Sequence, residues 1–427
     1  MTEPGTARLL VYSSLFPHPG DPNAGVFIRE RMFRVARDHA LVVVSPKPWS
    51  PFDGLIRRFR PRFRPVAPRW ELQQGIEVHA PRFFSLPGLF KSWDSVFMAL
   101  GSYLTVRRLQ RDFGFDLIDA HFGYPDGHAA SLLGRWLKVP HIVTLRGSER
   151  TYVESPPFRK RIASGLRAAS RVIGVSDSLR KLAVRLGVPE ARTIAIGNAV
   201  DSDKFQPMPQ AEARARLGLP GDARIIVSVG WLIERKGFHR VLEILPDLVK
   251  RFPDLHYLIV GGATGPDSME AALHQMVEAM GLAGRVHFLG PMPHDALKWP
   301  LSAADVFVLA TRREGWANVF LEAMACGLPV VTTEVDGNAE VVCHPALGRL
   351  VPFGDSDALR ESVAEALVQP WDRVAIRDHA ESQGWAKRID ELTRIYTGVM
   401  QAARHPQSGN TRPATAQEPG GDDDSSR

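Results

Sequence analysis

The sequence predicts an α/β fold in two domains, and three observations support this prediction. With 427 residues, 44% of them hydrophobic and 23% charged, the chain has the length and composition of a globular protein with two cores. Short apolar runs alternate with helical stretches in both halves, as in the strand–helix units of a parallel sheet. Between the halves, residues 206–222 contain three prolines and two glycines around a short helix, which is typical of a linker.

We expect a first domain at residues 1–205, a linker at 206–222 and a second domain at 223–384. A last amphipathic helix is predicted at 385–403. The tail at 404–427 is rich in Pro, Gly and Ser and ends in an acidic run, so it has little apolar surface to bury. We expect this tail to be disordered.

In the first half, the apolar pattern predicts strands at 9–14, 41–44, 75–82, 115–121 and 141–145. It predicts helices at 26–37, 92–113 and 128–137. His121 ends its strand, and the carboxyl ends of parallel strands are where α/β folds bind ligands. An imidazole there could donate to a sugar hydroxyl or shuttle a proton near neutral pH, and a structural histidine is the alternative. Arg146 to Glu149 follow the next strand and suit either an acceptor contact or a plain turn.

The second half begins with a strand at 224–230, and the loop after it carries Arg235 and Lys236 ahead of a helix from His239. Two adjacent cations before a helix N-terminus suit a diphosphate, whose charge a leaving nucleotide must keep. The alternative is a solvated helix start.

An apolar run at 305–310, a loop, a helix at 319–326 and a second apolar run at 330–333 predict a parallel strand–helix–strand unit. Glu314 lies in the loop and Glu322 in the helix, about 12 Å apart if the segment were all helical. Backbone amides around Asn318 and Val319 suit a phosphate, and a nearby carboxylate could accept from sugar or ribose hydroxyls. A capped helix with two solvated glutamates is the alternative.

Glu314 and Glu322, with seven residues between them and Ala-Met-Ala-Cys-Gly-Leu-Pro-Val-Val directly after, closely resemble the signature of the retaining glycosyltransferases of family four. The resemblance covers about residues 9–402 and implies the GT-B architecture, with two Rossmann-like domains facing across a cleft and the last helix crossing back to the first domain. It implies transfer of a sugar from a nucleotide-sugar donor to a glycan or glycolipid acceptor, with retention of anomeric configuration. No Asp-x-Asp pair with supporting ligands stands out, so we expect a metal-independent site without a cofactor.

The resemblance also assigns roles to individual residues. The expected catalytic residues are His121 and Glu314, and the expected donor-binding residues are Gly25, Arg235, Lys236, Asn318, Val319 and Glu322. The family usually has an arginine directly after the glycine of the first loop of the second domain, and this chain has Trp231 there, so Arg235 would supply the second cation. The family's glycine pair before the first helix is Ala24 and Gly25 here, where a structural turn is an equal explanation. Gly197 stands where a proline is common.

The net charge of +6 permits an anionic partner. Residues 55–69 interleave arginines with aromatic residues, a pattern that suits either an anionic membrane surface or a basic surface loop. We expect no nucleic-acid partner. The N-terminus lacks a leader pattern, and no apolar run is long enough to cross a bilayer. We therefore expect a cytoplasmic protein. If residues 55–69 bind a membrane, we expect that membrane to be the inner face of the cell membrane.

Members of the family that share the Phe16–Pro17 loop and the Gly25 to Glu30 stretch often build cell-surface polysaccharides on lipid carriers, and the chain resembles them. Two other functions stay open: a non-hydrolysing nucleotide-sugar epimerase, and, because of Trp231, an inactive sugar-binding or scaffold protein. A dehydrogenase is disfavoured because the chain lacks a GxGxxG loop with its acidic partner. The sugar, the nucleotide and the acceptor are left open.

Overall fold

The protein was analysed as a computed structural model, which describes residues 6–61, 63–263 and 267–404. Within these ranges, the strands are β1 Arg8–Tyr12, β2 Ala40–Val44, β3 Lys47–Trp49, β4 Trp70–Gln73, β5 Ile76–His79, β6 Arg82–Phe84, β7 Leu117–His121, β8 His141–Leu145, β9 Arg171–Gly174, β10 Thr193–Ala195, β11 Arg224–Val229, β12 Leu255–Val260, β13 Val286–Gly290, β14 Val306–Leu309, β15 Val330–Thr333 and β16 Gly348–Val351.

The α-helices of the same ranges alternate with these strands over most of the chain. They are α1 Val26–Val35, α2 Asp53–Phe59, α3 Asp94–Asp112, α4 His128–Leu137, α5 Glu149–Tyr152, α6 Pro156–Ala168, α7 Asp177–Arg185, α8 Gln210–Arg216, α9 Phe238–Arg251, α10 Glu270–Ala279, α11 Lys298–Ala303, α12 Asn318–Ala325, α13 Asn338–Val341, α14 Ser356–Ala366, α15 Arg373–Ser382 and α16 Trp385–Arg404.

Two large sheets organise the structure. The first has the strand order β10-β9-β8-β7-β1-β2-β5-β4, in which the β4–β5 pair is antiparallel and the other pairs are parallel. The second has the order β13-β12-β11-β14-β15-β16, and all its pairs are parallel. Central strands such as β7, β8 and β12 are buried along their whole length, as expected for parallel strands covered by helices on both faces. The predicted α/β fold is confirmed.

Helix α16 follows the second sheet in the chain but packs on the first. Its buried residues recur at helical spacing and join the core of the first sheet: Ile389, Leu392, Tyr396, Val399 and Met400. The Tyr396 hydroxyl donates to Asp119 Oδ2 at 2.7 Å, which ties the helix to strand β7.

The segment expected to be a linker is packed on the second domain. Its helix α8 is held by Arg214, which is buried and donates from Nε to the carbonyl of Ala303 at 3.0 Å and from NH2 to Asp305 Oδ2 at 3.0 Å. Ala213 and Leu219 belong to the core of the second sheet. The segment is therefore part of the second domain, and the connection between the domains is shorter than its composition suggested.

Several boundaries differ from the sequence expectation. Helix α1 ends two residues before the expected end at 37, within the usual uncertainty of helix ends. The basic stretch at 55–69 is not a loop throughout, because its start lies in helix α2, which ends before the prolines at 61, 65 and 68. Arg62 lies outside the described residues, as does the expected disordered tail apart from Arg404, which ends α16. Among the helices that the structure describes, none has the length and apolar character needed to span a membrane.

Candidate active site

A cavity of about 380 Å³ lies between the two domains. From the first domain, its lining includes Asn23, Val26, Phe27, Glu30 and Asn198. From the second domain, its lining includes Trp231, Lys236, His294, Glu314, Trp316, Asn318, Val319 and Glu322. The second-domain residues come from loops and helix starts that follow strands β11, β13 and β14, so the cavity lies at the carboxyl edge of that sheet. Five of the predicted site residues meet here, whereas Gly25, His121 and Arg235 are not part of the lining.

Glu314, which is buried, and Lys236, which is partly buried, form an ion pair in this cavity. Lys236 Nζ lies 2.5 Å from Glu314 Oε1. Burial alone would raise the pKa of Glu314, but the charges of Lys236 and Arg235 and the hydrogen bonds from Lys236 and Thr311 outweigh it and lower the pKa. The carboxylate is therefore ionised at neutral pH, and it holds the lysine ammonium at the cavity wall.

Gly237 allows the loop after β11, which carries Lys236, to lie close to the loop after β14, which carries Glu314. It follows Lys236 with φ of 77°, and a Cβ at this position would lie 1.9 Å from the carbonyl oxygen of Ala310. Only glycine fits such a close backbone contact at positive φ. The loop after β11 is thereby pressed against the end of β14, which brings Lys236 to Glu314.

Arg235, predicted to bind the donor, is not part of the cavity lining and contacts the loop that carries Glu314. Its NH1 donates to the carbonyl of Arg313 at 2.7 Å and to Glu314 Oε1 at 3.2 Å, and its own carbonyl accepts from the backbone N–H of Arg312 at 2.8 Å. Residues 234–236 form one turn of 3₁₀ helix, in which successive side chains point about 120° apart. Lys236 therefore faces the cavity, while Arg235 holds the loop that carries Glu314.

Glu322 is paired with a histidine that the sequence did not indicate. His294 Nε2 lies 2.9 Å from Glu322 Oε1, and both residues line the cavity. Burial opposes protonation of His294, but its hydrogen bond with Glu322 and the charge of that carboxylate outweigh burial and raise the pKa of His294. The second oxygen of Glu322 has no protein partner among the described residues and is available to a hydroxyl.

The start of helix α12 presents backbone donors to the cavity. Ala317 is the residue before the helix, and no side chain caps it. The backbone N–H groups of Asn318 and Val319 make no hydrogen bond within the part of the chain that the structure describes. These are the donors that a helix leaves unpaired in its first turn, and they suit an anion.

His121 lies behind the cavity wall. It is fully buried, and its Nδ1 is 3.0 Å from NH2 of Arg146. Because arginine can only donate, Nδ1 accepts and the ring proton sits on Nε2, which finds no hydrogen-bond partner among the described residues. Burial, together with the charges of Arg146 and Arg31, holds the pKa of His121 well below its usual value, so the ring is neutral.

Gly25 lies beside residues of the cavity wall but does not line the cavity itself. It precedes helix α1 with φ of 68°, and a Cβ there would lie 2.5 Å from the carbonyl oxygen of Leu15. The glycine allows the loop at 16–25 to fold tightly against itself. Its neighbours Asn23 and Val26 reach the cavity.

Sequence reasoning missed a chain of hydrogen bonds in the first domain, whose last bond crosses to the second domain. Arg146 NH1 donates to Asn198 Oδ1 at 2.9 Å, and Asn198 Nδ2 donates to Asn318 Oδ1 at 2.8 Å. Glu149 fixes the loop after β8 by accepting from the backbone N–H of Gly147 at 2.7 Å. The position of Arg146 after a strand was a usable signal, but no local pattern links Asn198 to a partner 120 residues away.

Two family models match the chain. Residues 209–383 match the model described as Glycosyl transferases group 1, and residues 34–204 match the model described as Glycosyltransferase Family 4. The chain belongs to glycosyltransferase family 4. The family expected from the spacing of Glu314 and Glu322 is confirmed, and so is the GT-B fold.

Relatives of this family 4 glycosyltransferase cover most of its length. A Bacillus subtilis strain 168 protein named as a candidate glycosyltransferase of teichuronic acid biosynthesis, TuaC, is 28% identical over 333 residues, which are 77% of this chain and 82% of TuaC. A D-inositol 3-phosphate glycosyltransferase of Saccharomonospora viridis is 28% identical over 426 residues, which are 93% of this chain and 95% of that protein. The crystal structure of Anabaena HepE in complex with UDP has a TM-score of 0.68 and 19% identity, and the match covers 92% of this chain and 100% of that chain. This likeness shows the shared fold.

Proposed function

We propose that this glycosyltransferase moves a hexose from a nucleotide-sugar donor to a glycan or glycolipid acceptor, with retention of anomeric configuration, in the synthesis of cell-surface polysaccharide. The observation that carries the proposal is the convergence of Lys236, Glu314, Glu322 and the unpaired amides of α12 on one cavity between the domains. Retention is proposed from the resemblance of the glutamate motif to retaining enzymes. The name of TuaC supports the cell-surface role.

The groups at the cavity suit the departure of a nucleoside diphosphate. As the anomeric bond loosens, negative charge grows on the diphosphate and positive character on the sugar. The ammonium of Lys236 and the N–H groups of Asn318 and Val319 would stabilise the leaving charge in a site that is partly shielded from water. Glu314 would orient the sugar, and the free oxygen of Glu322 would accept from the ribose hydroxyls.

The leaving charge would be stabilised by the protein alone, without a metal or cofactor. Lysine ammonium and helix amides supply the required positive potential at the cavity. Within the described ranges, no group of three or more His, Cys, Asp or Glu side chains is arranged to hold a metal ion.

The acceptor side would be provided by the first domain, around the cavity residues Phe27 and Glu30. The Nε2–H group of His121 makes no hydrogen bond among the described residues, and it would donate one to the oxygen of a sugar hydroxyl. Since the ring is fully buried in this structure, that contact requires the residues covering His121 to move when substrate binds.

An anionic membrane surface is the proposed site of action. Around helix α2, Phe52, Leu55 and Phe59 expose 56%, 62% and 77% of their surface. Arg57 and Arg58 lie on the same short helix. Exposed bulky apolar side chains beside cations suit the interface of a bilayer with acidic headgroups, which supports the proposal that the enzyme acts peripherally on the inner face of the cell membrane.

A thermal-shift screen with UDP, GDP, ADP and their sugars tests the donor site, because a ligand that binds only the folded state raises the melting temperature. We expect a shift with one nucleotide, followed by transfer whose product keeps the donor's anomeric configuration in NMR spectra. Conversion of the donor sugar without acceptor would establish the epimerase instead. The absence of a shift with every nucleotide would favour the inactive sugar-binding or scaffold protein, with Trp231 in the place of the family's arginine.

A further inference from the structure

The loop that carries Glu314 is in contact with the first domain through Trp316. Trp316 packs against the cores of both domains, and its ring lies directly over Gly197, which follows strand β10 of the first domain. A Cβ at Gly197 would be 2.5 Å from Cη2 and 2.7 Å from Cζ2 of that ring. The indole therefore occupies the space that any other residue at position 197 would need.

The next residue, Asn198, holds the start of helix α12. It is buried, and its amide nitrogen donates to Asn318 Oδ1 at 2.8 Å. Its oxygen accepts from Arg146 NH1 at 2.9 Å, and NH2 of the same arginine donates to His121 at 3.0 Å. Asn318 is the first residue of α12, so this chain of hydrogen bonds runs from the first sheet to the unpaired amides of the donor site.

A backbone contact holds the other side of the same loop. A Cβ at Gly315 would lie 2.2 Å from the carbonyl oxygen of Arg146 and 2.9 Å from Cα of Gly147. Residues 314–318 are thus in contact with the first domain at two places, the loop after β8 and the segment after β10. The contacts of residues 314–318 with the first domain cross the cleft, so they exist only while the two domains are together.

We propose that Gly197 and Asn198 are positioning residues of the donor site, through which the first domain sets the loop at 314–318 for reaction. The inference rests on the proposed function, in which this loop and the start of α12 hold the donor. Nucleotide binds mainly to groups of the second domain, so its affinity does not depend on these contacts. The rate of transfer does depend on them, because Glu314 and the amides of Asn318 and Val319 must be held in one geometry as the bond to the sugar breaks.

The test combines turnover with nucleotide binding in the full chain. Gly197→Ala should lower kcat by about tenfold or more while the nucleotide Kd, measured by calorimetry, changes by less than about twofold. Gly284→Ala is the matched control, because a Cβ at Gly284 meets nothing within 4 Å, and it should leave both quantities unchanged. Replacing Trp316 by Leu in the Gly197→Ala variant removes the overlap and should restore part of kcat.

A double-mutant cycle tests the hydrogen bond. Asn198→Ala and Asn318→Ala should each lower kcat, and the double variant should lose little more than either, because both remove the same contact. Fully additive losses, or a fall in nucleotide affinity as large as the fall in kcat, would overturn the proposal. So would full kcat in Gly197→Ala. A wild-type protein that binds no nucleotide would instead overturn the proposed function itself, which the screen above detects separately.

Discussion

Lys236 Nζ lies 2.5 Å from Glu314 Oε1, although the two residues belong to loops that follow different strands of the second sheet. The pair lies at the wall of the interdomain cavity, and its carboxylate is buried. It gives Glu314 its ionised form and keeps a cation where a diphosphate would leave. Arg235 binds the same carboxylate from behind, at 3.2 Å, without reaching the cavity.

This arrangement predicts different roles for the two cations. Lys236→Met should lower kcat on the order of 10²- to 10³-fold, the cost of removing one group that stabilises developing charge. Arg235→Met should cost less, because it removes a support of the loop and leaves the facing cation in place. Steady-state kinetics of both variants decide the matter, and equal losses would show that Arg235 also contacts the donor.

Loss of the Glu322 carboxylate should weaken nucleotide binding. Glu322→Ala should raise the nucleotide Kd about tenfold, or about 1.4 kcal/mol, by removing an acceptor for ribose hydroxyls. His294→Ala serves as the control, because it removes the protein partner of Glu322 and leaves the carboxylate for the ribose. Calorimetric titration measures the nucleotide Kd of both variants. An equal change in Kd for both, or no change for Glu322→Ala, would refute the assignment of Glu322 to the ribose.

A buried carboxyl in the first domain predicts a pH dependence of stability. Asp126 is fully buried, accepts hydrogen bonds from the backbone and hydroxyl of Ser14, and has its pKa raised by burial to about 7. The folded state thus holds a proton that the unfolded state releases near pH 4, so the contribution of Asp126 to stability falls as pH rises between about 4 and 7. The nearby Lys47, whose pKa burial lowers to about 8, titrates above this window.

Asp126→Asn should remove that slope, because the amide has no charge to bury. Melting temperatures measured from pH 5 to pH 7 should fall in the wild type relative to the variant. Parallel curves over this range would mean that Asp126 keeps the same protonation state in the folded and unfolded protein.

Removal of metals should leave activity intact. Transfer measured after dialysis against EDTA should proceed at the untreated rate, because Lys236 and the amides of α12 supply the stabilising charge. A loss that Mg²⁺ or Mn²⁺ restores would show that a divalent ion takes part in the departure of the diphosphate.

Substitution of the exposed apolar residues of α2 should reduce membrane binding. Leu55→Ser combined with Phe59→Ser should weaken co-sedimentation with vesicles that contain acidic lipid, because both side chains expose more than half of their surface. Val374→Ser is the control, since Val374 is 68% exposed on the second domain. Equal binding of the wild type and the double variant would remove the membrane proposal.

The sequence predicted the elements that repeat with a regular period. Helix α4 has the expected bounds of 128–137, and strand β8 has the expected bounds of 141–145. Both were predicted correctly because their apolar residues follow a strong local pattern. The spacing of Glu314 and Glu322 identified the family for the same reason. Helix α2 was missed because seven residues with few apolar neighbours carry a weak periodic signal.

The sequence by itself determined the α/β fold, the family, and five residues that meet at the cavity: Lys236, Glu314, Asn318, Val319 and Glu322. These follow from apolar period and from a motif of fixed spacing, which are properties of neighbouring residues. The tertiary structure decided that Arg235 turns away from the cavity, that His121 is buried behind Arg146, and that Gly197 accommodates Trp316. Those outcomes depend on the direction of side chains and on contacts between residues that are 25, 78 and more than 100 positions apart, which local patterns do not encode.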